Sequence, residues 1–226
     1  MSQSTPQSIL NLALHNRLVA ILRLPDLTHA IPLVEALLVG GVRLIEFTLT
    51  NPDAAQAVAR CRSELEPLAS GNAAIGLGSV RTVDEAKLAI DSGAQFVVTP
   101  IFSASIIGHC KAHRTMICSG AFSPTEIYNS HAEGSDIVKV FPARTLGPSY
   151  IKDVLAPMPF LNLMPTGGID LNNVDAYFAA GAVAVGVGSQ FLDPHAIEKR
   201  DWSLIATNAS VFVDACIAKA NPITNS

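Results

Sequence analysis

The stretch Asp136-Ile-Val-Lys-Val-Phe141 places an ammonium in the middle of an apolar, β-branched run. A run that is apolar on both faces reads as a strand buried in a parallel sheet, so either face takes the Lys139 side chain out of bulk water. The other five lysines, Lys87, Lys111, Lys152, Lys199 and Lys219, lie in stretches that read as helices or their ends. An apolar environment disfavours the charged form of an amine, which is how enzymes make a lysine nucleophilic toward a carbonyl. The plainer reading is a lysine that pairs with a carboxylate or snorkels from a strand end. The rest of the chain decides between them.

Seven further short, β-rich segments accompany this one: Leu18 to Leu22, Arg43 to Phe47, Ala74 to Gly78, Gln95 to Thr99, Arg114 to Cys118, Phe160 to Met164 and Ala182 to Val187. Helix-like stretches separate them. Thr28 precedes an apolar-periodic run to Val39, Asp53 begins another, and Thr82-Val-Asp-Glu85 has the capping-box spacing ahead of a third. Gly40-Gly41, Gly93 and Gly181 stand where helices must end before the next strand. Eight such alternations predict an α/β protein whose parallel sheet closes into a single (β/α)8 TIM barrel, with an open doubly wound sheet as the structural alternative. An extra N-terminal helix over Pro6 to Arg17 is expected to cover the barrel floor or edge, and a last helix over Ile205 to Lys219 to complete the outer ring. No linker, charge block or solenoid signature divides the chain. Residues 1–226 therefore read as one domain with short flexible tails at about 1–6 and 220–226.

Composition narrows the function. Hydrophobic residues make up 49% of the 226 and charged ones 15%, enough for a sizeable core. A formal net charge of -4 with no Lys/Arg cluster argues against nucleic acid or an anionic membrane as partner. No stretch reaches the ~18 apolar residues of a membrane span, and Met1 to Gln7 is polar rather than a signal peptide, so the expected location is cytoplasmic. Cys61, Cys110, Cys118 and Cys216 are scattered without a CxxC pair and read as buried or free thiols. His109 and His113 lie four apart but lack an evident third ligand, so neither a metal nor another cofactor is expected. Small molecules, or copies of the chain itself, are the partners this leaves.

In a barrel of this type the chemistry sits at the carboxyl ends of the strands, and those ends are polar here. They carry Arg23, Glu46 and Thr48, Gly78-Ser79, Thr99-Pro100, Lys139 and Phe141, Pro165-Thr166-Gly167-Gly168 and Gly186-Val-Gly-Ser189. The last two loops suggest a phosphate site, because glycine lets backbone N–H groups approach an anion and a following helix start adds positive partial charge. Glu46 lies in Leu44-Ile-Glu-Phe47. If Ile45 and Phe47 face the helices, it points into the barrel mouth, either as an ion-pair partner for Lys139 or as a proton shuttle.

Seven motifs in matching order, Val19-Ala-Ile-Leu-Arg23, Glu46-Phe-Thr-Leu-Thr-Asn51, Gly76-Leu-Gly-Ser-Val80, Val98-Thr-Pro100, Val138-Lys-Val-Phe-Pro142, Pro165-Thr-Gly-Gly-Ile169 and Val187-Gly-Ser189, resemble the class I 2-keto-3-deoxy-6-phosphogluconate aldolases and the similar 6-phosphogalactonate and 4-hydroxy-2-oxoglutarate aldolases. The resemblance runs from about Leu18 to Leu192. It implies a Schiff base on Lys139 with pyruvate or the ketoacid, and Glu46 as general acid/base through water. It implies that Thr166 and Ser79 orient the ketoacid, that Pro100 and Phe141 wall the imine, and that Gly167, Gly168, Gly188 and Ser189 hold phosphate. Arg23 and Thr48 join the substrate-binding set. Family members are homotrimers that need no metal.

Three departures bear on the site, one being Gly78-Ser79 where the family usually has Gly-Thr, which keeps the hydroxyl and loses a methyl. Many members carry an arginine four residues after the glutamate where this chain has Thr50, and Arg23 is the cation expected to replace it for the carboxylate. The common Pro-Gly after strand five is Ser119-Gly120 here. Rival readings keep the enamine chemistry but change the reaction to cleavage of 4-hydroxy-2-oxoglutarate or 2-keto-3-deoxy-6-phosphogalactonate, or to decarboxylation of oxaloacetate. Others make Lys139 purely ionic in a different phosphate-binding barrel, or leave a non-catalytic phosphosugar-binding barrel.

Overall fold

A computed structural model describes residues 5–217. Eight strands, β1 (Leu18–Leu22), β2 (Leu44–Thr48), β3 (Ala74–Gly78), β4 (Phe96–Val98), β5 (Met116–Ala121), β6 (Ile137–Val140), β7 (Leu163–Pro165) and β8 (Val185–Val187), form one parallel sheet. β1 pairs with both β2 and β8. The remaining seam is joined by a Thr166–Gly186 bridge and by the Val183 amide, which donates to the Leu163 carbonyl at 3.0 Å. The sheet is thus a closed (β/α)8 barrel, not an open one.

Alternation along each strand sorts side chains into two apolar layers. Ile45 and Phe47 of β2, with Val97, Ile117 and Val138, pack outward against the helices. Val19, Leu44, Ala74, Phe96, Met116 and Ile137 pack inward, together with Ile9 and Ala13 of the leading helix α1 (Pro6–Asn16). That helix plugs the floor, as the sequence predicts. With the amino end of the barrel filled, a ligand can enter only at the carboxyl end.

Several local signals read as expected. The Thr82–Glu85 capping box starts the helix Val83–Asp91, and Gly41, Gly93 and Gly181 follow helices with φ of +90°, +85° and +103°, a conformation that suits glycine. The four cysteines are free and buried. Thr5 caps α1 and Pro6 begins it, inside the expected N-terminal tail; 1–4 and 220–226 lie outside the described residues.

Other boundaries differ. β5 begins at Met116, not Arg114, because Arg114 turns left-handed (φ +54°) to end the preceding helix. The strand then runs on through Ser119-Gly120-Ala121, whose small side chains hid its strand character. β7 starts at Leu163, leaving Phe160 54% exposed, and β8 starts at Val185. Thr28 does not cap its helix: it bonds Asp26 through both amide and hydroxyl, and the helix begins at Ala30. The last helix spans Trp202–Ile217, and Lys219 falls outside the described residues. No described helix is long and apolar enough to cross a membrane.

Candidate active site

Lys139 stands on β6 between Gly120 of β5 and Met164 of β7, and Glu46 on β2 between Ile21 of β1 and Gly76 of β3. Both point into the barrel. Their side chains are 8% and 1% exposed, and Lys139 Nζ lies 3.9 Å from Glu46 Oε1. That distance is an ion pair but not a hydrogen bond. Both Glu46 oxygens are buried without a hydrogen-bond donor from the protein, which leaves them as acceptors facing the barrel mouth. Burial pushes the Glu46 carboxyl above the usual carboxylate range, and the positive charges of Lys139 and Arg23 only partly oppose it. The ring of Phe141 lies beside the amine, its centroid 5.4 Å from Nζ.

Glycines make the room these groups occupy. A methyl at Gly78 would overlap the Glu46 carboxylate, and one at Gly186 would overlap the Thr166 hydroxyl. A Cβ at Gly120 would lie 2.5 Å from the Ile101 amide nitrogen, so glycine there lets the Pro100–Ile101 peptide close over β5 at the residue paired with Lys139. The Thr99 hydroxyl locks that approach: it accepts from the Gly120 amide at 2.9 Å and donates to the Ile101 carbonyl at 2.6 Å. Sequence reasoning missed the role of these positions because the signal is an inward parity of small residues, visible only once the strand register is known.

The remaining substrate-binding candidates are distributed around the rim. Thr166, 3% exposed, donates its hydroxyl to the Met164 carbonyl at 3.3 Å. The Thr48 hydroxyl is engaged by Thr50 at 2.8 Å, so these two threonines tie down the end of β2 where an arginine was absent. Ser79 has φ +62° directly after β3. Ser119 takes no part in the site: it faces outward and bonds Ser130 at 3.1 Å, which accounts for its place in this chain as a strand-to-helix tie.

Beside the Lys139–Glu46 pair lies a cleft of about 440 Å³ that gathers Arg23, Phe141, Thr166, Gly167, Gly168, Gly188 and Ser189 in one place. Gly167 and Gly168 have φ of +92° and +83°, and a Cβ at Gly188 would lie 3.1 Å from the Ile21 carbonyl oxygen. Thr48, Ser79 and Pro100 do not line this cleft. One expectation needs correction. The helices after these loops do not start at the glycines but at Val174 and Pro194, and Asp193 already caps the second by accepting from the His195 and Ala196 amides. Positive potential comes instead from Arg23 and from Arg144, a residue sequence reasoning passed over. Lys139 and Glu46 do not themselves line the cleft, which adjoins them through Phe141, Thr166 and Ile21; a larger groove of about 750 Å³, lined by Glu35, Arg43, Glu64 and Glu66 among others, shares no residue with it.

The chain matches the family described as KDPG and KHG aldolase over residues 9–208. It is 36% identical over 190 residues to the 2-dehydro-3-deoxy-phosphogluconate aldolase of Treponema pallidum, covering 84% of this chain and 88% of that one. The structure resembles that of a KDPG aldolase from Legionella pneumophila with pyruvate captured as a covalent carbinolamine intermediate, with TM-score 0.81, 25% identity and coverage of 93% and 98%. It also resembles a 2-keto-3-deoxy-6-phosphogluconate aldolase of Zymomonas mobilis with 3-phosphoglycerate, with TM-score 0.77, 27% identity and coverage of 93% and 97%. A closed barrel that buries a lysine against a carboxylate, and a profile match along nearly its whole length, place this chain in the KDPG and KHG aldolase family.

Proposed function

We propose that this chain is a class I aldolase that cleaves 2-keto-3-deoxy-6-phosphogluconate to pyruvate and glyceraldehyde 3-phosphate. The observation that carries the reading is the buried Lys139 amine 3.9 Å from Glu46, beside a cleft whose only charges are cationic. The names of the relatives support the substrate class.

The unprotonated Lys139 amine adds to the C2 ketone, and loss of water gives an iminium that draws electrons from the neighbouring bonds. Glu46 accepts the proton of the C4 hydroxyl, directly or through water, and the C3–C4 bond breaks. Its electron pair enters the enamine and the aldehyde leaves. C3 is then reprotonated, and water hydrolyses the iminium to pyruvate and free Lys139. A carboxyl held above its usual range is suited to returning that proton. Thr166 and Ser79 orient the ketoacid, Arg23 holds its carboxylate, and the N–H groups of Gly167, Gly168, Gly188 and Ser189 meet the phosphate. Binding that remote group positions the scissile bond.

The assembly proposed is a homotrimer in the cytoplasm, on the family resemblance; light scattering reads the mass. The chemical test is incubation with pyruvate and borohydride followed by peptide mass analysis. A reduced pyruvyl adduct on Lys139 is expected. An unmodified Lys139 would leave it an ionic partner of Glu46 and overturn the aldolase reading.

A further inference from the structure

We propose that Arg144 is a specificity-determining residue that selects substrates carrying a phosphate at the end distant from the ketone, a statement that rests on the aldolase reading above. Arg144 sits on a short 3-10 turn, Ala143–Thr145, separated from the Lys139 strand by Phe141 and Pro142. The Ala143 amide bonds the Thr166 carbonyl at 2.9 Å, which fixes this turn to the loop after β7. A Cβ built on Gly168 would lie 2.5 Å from Arg144 Cβ and 3.5 Å from its Nε. Gly168 is therefore bare so that the arginine stem can lie across it, and not merely to free a backbone N–H.

The charge pattern gives the arginine its task. The cleft is lined by Arg23 and Arg144 and by no acidic residue. Among the described residues the Arg144 guanidinium has no ion-pair partner, so its charge is available to a ligand. The two arginines differ in what they face. Arg23 follows β1 and acts electrostatically on Glu46, whereas Arg144 lies over Gly168, among the loops read as the phosphate cradle. A guanidinium meets phosphate oxygens with two N–H donors and a full positive charge, and that charge is what a backbone cradle alone does not supply. Since the helix starts lie beyond these loops, a formal cation here supplies charge that the loop backbone lacks.

The test compares kcat/KM for 2-keto-3-deoxy-6-phosphogluconate and for unphosphorylated 2-keto-3-deoxygluconate in the full chain, Arg144→Met, Arg144→Lys and Arg23→Met. In Arg144→Met the ratio of the two should fall roughly 10- to 100-fold, the range for losing one hydrogen-bonded charge. Arg144→Lys should restore part of it by returning the charge without the fork. Inorganic phosphate should inhibit Arg144→Met more weakly by a similar factor. An unchanged ratio, or one that falls only in Arg23→Met, overturns the assignment. If the unaltered chain traps no pyruvate, the aldolase reading fails separately, and direct titration with inorganic phosphate still reads Arg144: equal binding by Arg144→Met would overturn its anion role.

Discussion

Gly78 on β3 lies against the carboxylate of Glu46 on β2, so close that no side chain at 78 could share the space. The register pairs Gly78 with Thr48 and puts Gly76 beside Glu46. Gly78 is thus bare where the glutamate extends, whereas the space over Gly76 is taken by the ring and carbonyl of Phe96. Neither glycine has a positive φ, so the requirement is space and not backbone conformation. Positioning of the carboxylate is therefore encoded on the neighbouring strand.

Gly78→Ala should leave the fold standing, since the clashing group is the end of a flexible side chain that can rotate away. Glu46 would no longer reach its place, and a displacement of about 1 Å can cost roughly 100-fold in rate. We expect kcat for cleavage to fall by that order, while pyruvate is still trapped on Lys139 by borohydride. Full activity in Gly78→Ala would show that Glu46 does not need its present position.

The pH dependence of the reaction should carry the signature of Glu46. Its raised folded-state value means that the acidic limb of kcat/KM lies above the ordinary carboxylate range, and Glu46→Gln should lose both most of the activity and that limb. Stability follows the same sign. The contribution of the protonated form is complete below the unfolded value of about 4.3 and is lost as pH rises through the folded one. The thermal midpoint of Glu46→Gln should therefore gain on the unaltered chain as pH rises through this window. Parallel midpoint curves would mean that burial of Glu46 costs nothing on ionisation.

Lys139 and Glu46 were legible in the sequence because a charge in a β-branched run violates the local pattern, and because Ile45 and Phe47 fixed the parity of their strand. Thr166 and the Gly167-Gly168 and Gly188-Ser189 loops were legible through their place at strand ends. Arg144 was not, since it follows its strand by several residues and only folding lays it over Gly168. The small residues of β5 were illegible for the opposite reason: Ser119-Gly120-Ala121 has little strand character, and its place in the sheet is set by neighbours such as Thr99. Phe160 misled because hydrophobicity alone does not tell a strand residue from an exposed turn residue.

Thr99→Val tests that tertiary setting of β5. Valine keeps the shape but removes the acceptor for the Gly120 amide and the donor to the Ile101 carbonyl in a buried place. Leaving a buried amide unpaired costs about 1–3 kcal/mol, to be read from urea midpoints. A loss below about 0.5 kcal/mol would place it among ordinary surface changes and deny Thr99 its role in holding the Pro100 wall.

Arg23→Ala separates the two arginines of the cleft. If Arg23 holds the ketoacid carboxylate, its removal should raise the KM for the ketoacid roughly 10-fold, the effect of one hydrogen bond to a charge. The concentration of pyruvate needed for half-maximal trapping should rise with it, because pyruvate has that carboxylate and no phosphate. The charge of Arg23 also holds the Glu46 carboxyl down, so its loss should move the acidic limb of kcat/KM further up in pH. The two readouts are independent: one follows the ligand, the other the carboxyl. A pyruvate response equal to that of the unaltered chain would remove Arg23 from the carboxylate site even if the limb still shifted, and would leave the guanidinium acting on Glu46 alone.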